Sequence, residues 1–427
     1  MQWATPEGDL DRGRPCDGVS STRVSKAKGT RRLAGFVLNV GLALVSVTLT
    51  LAALEIALRF AGYEAIHSTY SKPSMFWKAD RLLGWSHQSN AVGTFVGPRP
   101  WPIEFRADVA INSDGLRGPE IGPRPERGYR VLLLGDSVVA GFEVPYEETF
   151  AALLESELSK RVGAPVQVIN AGVRGYGTDQ SYLFYRERGI RFDPDLVMLL
   201  HSDNDTRNNM TLHRSRRVFS KPALVLHEDE RLELVRPPDD TDVCAQLQTT
   251  AEATVVRADS ASTRAACKLQ MALFDHSALF SVLTTRLRES PDLLRSLYRL
   301  GAPKRTATEV AASQPATSSY PSRLTSAIIA ELAQTVGSTS AGFVLFGSPR
   351  GVAMIDEVRL ASEGVFAHAI APDGEDHRFV RDGHYNTEGH RVAAERFTPI
   401  LAKRLLEVAV ARAERRATLS AITTASL

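Results

Sequence analysis

Five short apolar runs, spaced by helix-patterned segments, constrain this chain of 427 residues more than any other feature. They are RVLLLG (130–135), VQVIN (166–170), DLVMLL (195–200), GFVLFGSP (342–349) and a shorter one within GVFAHAI. Between and after them lie EETFAALLESELSK (147–160), DQSYLFYRERGI (179–190), a helical stretch at 322–336 and a closing one from Thr387 to Arg416. Short runs without polar alternation, separated by helices, are what a parallel sheet covered on both faces requires. The expected fold is therefore α/β, starting near Tyr129. Its first part occupies 129–205 and its second 321–416, with 417–427 a frayed tail. Between them, 206–320 reads as an inserted cap. It holds a hairpin (ALVLHEDERLELV, 223–235), a helical piece (HSALFSVLTTRLR, 276–288) and a Ser/Thr/Ala/Pro-rich loop at 303–321.

Ahead of this domain, Leu33 to Leu54 contains no charged residue. Twenty-two helical residues cover the roughly 30 Å of a bilayer core, and the run is longer than the apolar part of a usual cleaved signal peptide. One transmembrane helix at 33–54 is the expectation. Lys26, Lys28, Arg31 and Arg32 precede it, which keeps residues 1–32, read as a disordered tail, in the cytoplasm and sends the body to the periplasm or cell exterior. Glu55 and Arg59 at the exit are spaced to pair. Residues 61–128, rich in Pro, Gly and aromatics, read as an irregular connector with a turn at INSDGLRG, 111–118.

Charge and cysteine usage remove several functions. The 51 basic and 49 acidic residues leave a net charge of +2, which offers a phosphate backbone no attraction, so nucleic acid is not an expected partner. Cys16, Cys244 and Cys267 lack the close spacing of a zinc site, and neither metal nor cofactor is expected. If the body lies beyond the membrane, Cys244 and Cys267 share an oxidising compartment and are expected to form a disulfide.

In an open parallel sheet ligands bind beyond the carboxyl ends of the strands. Gly135-Asp136-Ser137 follows the first run, Asn170-Ala171-Gly172-Val173-Arg174-Gly175 the second, and Ser202-Asp203-Asn204-Asp205 the third. All three clusters fall on one edge. A serine at a strand-to-helix turn can present its hydroxyl together with its own amide, which makes Ser137 the candidate nucleophile. Its reaction needs a base and donors for the oxyanion. His384, before the closing helix, is the candidate base, while Gly175 can supply a backbone N–H and Asn204 a side-chain amide. Asp136 and Asp205 read as turn and cap residues, His390 as structural, and His201 as a pocket wall. The basic run at 213–217 reads as a solvated face.

Taken together, GDS, NAGVRG, an Asn-Asp after the third strand and a late Asp/His block resemble the SGNH (GDSL) hydrolase superfamily of serine esterases, lipases and carbohydrate O-deacetylases. The resemblance covers about 129–205 and 322–408. The N-terminal span ending in Glu and Arg, followed by INSDGLRG, is similar to a membrane-anchored group within it. The resemblance implies a flavodoxin-like three-layer fold, Ser137 as nucleophile, His384 as base, and Gly175 and Asn204 as oxyanion donors beside the Ser137 amide. Two positions depart from the family pattern. Ser202 stands where glycine is usual, and Arg381 stands where the triad acid is usual, leaving Asp382 as the acid or, failing that, a Ser/His dyad. The implied activity is hydrolysis of O-acyl or O-acetyl esters of cell-envelope glycan or lipid through an acyl-enzyme. An O-acyltransferase and a silent glycan- or protein-binding scaffold are the alternatives.

Overall fold

The computed structural model describes residues 22–63, 76–97, 104–212, 220–236, 244, 247–249, 255–257, 260–289 and 319–425. Two compact units divide the chain, Met1–Gly62 and Tyr63–Leu427. The first contains helix α1, Thr22–Phe60, of which Gly35–Phe60 is long and apolar enough to cross a bilayer. Phe36, Leu38, Leu42 and Leu44 are exposed along it, and Arg59 pairs with Glu55 at 2.7 Å. Its start at Thr22 lies inside the segment expected to be a disordered tail. A helix nucleated in a long apolar run extends cheaply into flanking Lys, Ala and Arg, each a good helix former.

The second unit opens with two antiparallel hairpins where an irregular connector was expected. Strands β1 (Trp77–Asp80) and β2 (Gly84–His87) form one; β3 (Val92–Gly97) and β4 (Phe105–Ala110) form the other. Alternation is present in β4, where Phe105, Ala107 and Val109 are buried and the residues between them exposed. Trp77, Leu83, Trp85 and Val109 bury into the core of one sheet face.

Next come β5 (Tyr129–Leu134), β6 (Val166–Asn170) and β7 (Leu196–His201), then two hairpins in the interrupting region, β8 (Ala223–Leu226) with β9 (Leu232–Val235) and β10 (Leu247–Thr249) with β11 (Val255–Arg257). Strands β12 (Gly342–Gly347) and β13 (Ala367–His368) complete the set. The central sheet is parallel throughout, in the order β13-β12-β7-β5-β6. Counted among these five alone, that is the flavodoxin-like order 2-1-3-4-5, with its topological switch at β5 and β7.

The helices are α2 (Ser137–Ala140), α3 (Phe150–Val162), α4 (Thr178–Phe184), α5 (Asp205–Asn208), α6 (Ala261–His276), α7 (Ala278–Glu289), α8 (Tyr320–Ser338), α9 (Pro349–Val352), α10 (Glu357–Ser362) and α11 (Thr387–Ala425). Successive strand residues feed opposite layers, as the two-residue period of a strand demands. Val131, Leu133, Val168 and Met198 pack with Leu154 and Leu158 of α3 and Phe397 and Leu401 of α11. Leu132, Leu134, Ile169 and Val197 pack with Leu183 of α4 and Leu324, Ile328 and Leu332 of α8. Helix α11 runs to Ala425, past the point where a frayed tail was expected, because adding a residue to an existing helix costs far less than nucleating one. Cys244 and Cys267, the latter on α6, are joined by a disulfide. The basic run at 213–217 and most of the loop at 303–321 lie outside the described residues.

Candidate active site

Strand β5 leads into Gly135, whose φ is +153° and where an added Cβ would stand only 2.5 Å from Val139 Cγ2, so glycine alone fits. The turn it permits starts α2, where the Asp136 carboxylate accepts from the Val138 N–H at 2.9 Å and caps the helix. Ser137 therefore stands at the carboxyl edge of the sheet, nearly buried. Its Oγ lies 2.7 Å from His384 Nε2, and His384 Nδ1 is hydrogen-bonded to Asp382 Oδ1. The Asp-Gly-His spacing closes because Gly383 takes φ +82°, so that both side chains turn to the same side of the loop.

A cleft of about 210 Å³ lies over these groups and is lined by Ser137, Asn204, His201, Asp382, His384 and Arg378 among others. Four of the expected residues, Ser137, Asn204, Asp382 and His384, thus meet in one place. Gly175 does not line the cleft; it turns the loop after β6 with φ +82°. That loop is pressed onto α2. A Cβ on Gly172 would stand 2.5 Å from the Ala140 nitrogen, and Asn170 Nδ2 donates to Val139 O at 2.8 Å while its Oδ1 accepts from Gly172 N. Neither disulfide cysteine lines the cleft.

Burial pushes the Asp382 carboxyl up, but the hydrogen bond and charge of His384 and the charge of Arg174 outweigh it, so Asp382 lies below the usual carboxylate range and is ionised at neutral pH. Asp205, fully buried, accepts from Ser202 N at 3.1 Å, and burial raises its pKa to about 6. His201 Nδ1 is 3.3 Å from Asp205 Oδ2 yet too poorly aligned to bond it. His390 is buried, accepts from Phe150 N at 3.2 Å, and is lowered by burial to about 3, hence neutral and structural.

Sequence reasoning missed the residues that hold these loops. Arg117, buried within INSDGLRG, donates from Nη1 to Ala140 O at 2.9 Å and from Nη2 to Val144 O, gripping the end of α2. Trp85 Nε1 donates to Arg174 O at 3.1 Å, and Tyr176 OH donates to Trp85 O at 2.7 Å. The Glu104 carboxylate accepts from the amides of Arg381 and Asp382 at 3.0 and 3.1 Å. A buried ion pair, Glu143 with Arg174, completes the support. The one available signal was a charged residue inside an apolar run, as Glu143 is in AGFEV.

A five-stranded parallel sheet of order 2-1-3-4-5, with a serine, histidine and aspartate at its carboxyl edge, defines the α/β/α architecture of SGNH hydrolases. The family model described as "GDSL-like Lipase/Acylhydrolase family" matches residues 133–392, and the chain belongs to that family, whose members hydrolyse ester bonds. Among solved structures it is similar to a psychrotrophic esterase, EstA, from Pseudoalteromonas sp. (12% identity, 64% of this chain and 97% of that one, TM-score 0.31). It is also similar to a lipase/acylhydrolase from Enterococcus faecalis (15%, 65% and 96%, TM-score 0.26) and to a catalytic mutant of Axe2, an acetylxylan esterase from Geobacillus stearothermophilus (10%, 67% and 95%, TM-score 0.30). No curated protein matches it.

Proposed function

We propose that this chain is a membrane-anchored serine esterase that removes short acyl groups, acetyl foremost, from a hydroxylated acceptor such as an envelope glycan. The observation that carries the reading is the unbroken chain from Ser137 Oγ through His384 to Asp382. In it, Ser137 Oγ attacks the ester carbonyl and gives its proton to His384 Nε2, while Asp382 holds the imidazole in the tautomer that can accept it. The tetrahedral oxyanion is met by the Ser137 amide and Asn204, with the Gly175 amide as the third donor. His384 then protonates the leaving alcohol, an acyl-enzyme remains, and water attacks it by the reverse proton path.

A short acyl group suits a small cleft of about 210 Å³ whose apolar wall is confined to Val138, Leu200, Ala371 and Tyr385, among polar residues such as Asp136, Asp203 and Arg378, since a long chain needs more apolar surface to replace the water it sheds. Helix α1 supports the anchor, and the basic residues before it favour a body beyond the membrane. The test uses the full chain in detergent micelles. A fluorophosphonate probe is expected to label wild type, and neither Ser137→Ala nor His384→Ala. Acetyl esters of p-nitrophenol are expected to be cleaved with a kcat/KM at least about tenfold above octanoyl esters. Wild type that folds yet never labels would sink the reading.

A further inference from the structure

Glu143 has no part in the steps above, yet it lies at their centre. It leaves the turn after α2 between Phe142 and Val144, both buried, and its carboxylate is 1% exposed. Its ion-pair partner Arg174, on the loop after β6, is 9% exposed and stacks over the Phe95 ring at 4.9 Å. Desolvating two such charges is costly, and their attraction offsets that cost only where further partners complete the geometry. The further partner here is His384. Glu143 Oε1 lies 3.5 Å from Nδ1, the nitrogen that Asp382 already bonds. Two carboxylates thus face one N–H. Glu143, Asp382 and Arg174 together carry one net negative charge, and the group becomes neutral when His384 takes a proton.

Resting on the reading that His384 is the base, we propose that Glu143 is a positioning residue, a second carboxylate for the imidazole held in place by Arg174. Asp382 reaches His384 from within a loop whose Arg381 and Gly383 are exposed, whereas Glu143 reaches it from the buried turn after α2. Where the Asp382 side chain is removed or turned away, Glu143 keeps Nδ1 protonated and oriented and keeps the imidazolium compensated. Charged groups facing the cluster from other elements are Arg117, which acts on both Glu143 and Arg174, and Asp136 and Arg378 of the cleft; His87 and His390, both lowered by burial, are neutral.

The experiment is a double-mutant cycle on the full chain, read as fluorophosphonate labelling rate against pH. Glu143→Gln with Arg174→Met removes the pair together, so no charge is left buried alone, and Asp382→Asn is the other arm. In the Asp382→Asn background, removing the pair is expected to slow labelling about tenfold more than it does in wild type. In wild type it is expected to lower the pH midpoint of the acidic limb, because the carboxylate 3.5 Å from His384 Nδ1 is removed. Equal factors in both backgrounds, or an unmoved midpoint, would overturn the proposal. Should the paired variant not fold, Glu143→Asp draws the carboxylate back by one methylene and keeps the charges. It is then expected to slow labelling more with Asp382→Asn than alone, and equal slowing overturns the proposal. Wild type that does not label sinks the catalytic reading; wild type that labels through Ser137 with an additive cycle sinks this inference alone.

Discussion

At the scale of single residues, the site is a set of carboxylates kept in different states by their surroundings. Asp382 has a charged partner and stays ionised, whereas Asp205 faces backbone and the His201 imidazole, whose attraction offsets burial only in part, so it is raised to about 6. The consequence for stability follows from the direction. An acid whose folded pKa is raised favours the protonated folded state, so its contribution is full below about 3.8 and is lost as pH rises through about 6. Asp205→Asn keeps an oxygen to accept from Ser202 N and removes the charge. It is expected to be more stable than wild type at pH about 8, by of order 2 to 3 kcal/mol, and indistinguishable from it near pH 4. Urea midpoints at the two pH values check this. A gap that persists at low pH would contradict it.

Elements, rather than residues, decide whether those groups meet. Ser137 is positioned by the β5 turn, His384 by the loop before α11, and each is gripped by a segment that precedes the sheet in the chain. Glu104, just ahead of β4, ties down the amides of Arg381 and Asp382, so Glu104→Ala is expected to leave the melting temperature within a few degrees of wild type. Its labelling by fluorophosphonate is expected to fall about tenfold, because a small displacement of a reacting group is costly in rate. Unchanged labelling, or a collapse in melting temperature, would mean that Glu104 has a different job. The expectation of an irregular connector failed at this scale. Two-stranded hairpins are marginal alone and form here because Trp77, Trp85 and Val109 pack on the domain core, a contact with no local signature amid Pro and Gly.

For the whole molecule, the described units differ in what they leave exposed. Helix α1 presents Phe36, Leu38 and Leu42 to its surroundings, while the unit from Tyr63 onward buries the apolar side chains of its central sheet in two cores, one on either side. Full-length chain is therefore expected to partition into the detergent phase of a cloud-point separation, and a fragment of residues 63–427 into the aqueous phase with its probe labelling intact. A fragment that follows the full chain into detergent would place the membrane contact elsewhere. The sequence by itself determined the sheet, its parallel sense, the apolar N-terminal helix and the three strand-end clusters, because buried strands and bilayer-length helices are dictated by runs of neighbouring residues. Only the tertiary structure decided that Asp382 reaches His384 across two residues, that Glu143 and Arg174 stand behind it, and that the segment before the sheet braces the site. Those contacts join side chains from separate elements, and through-space distance and desolvation leave no periodic trace along the chain.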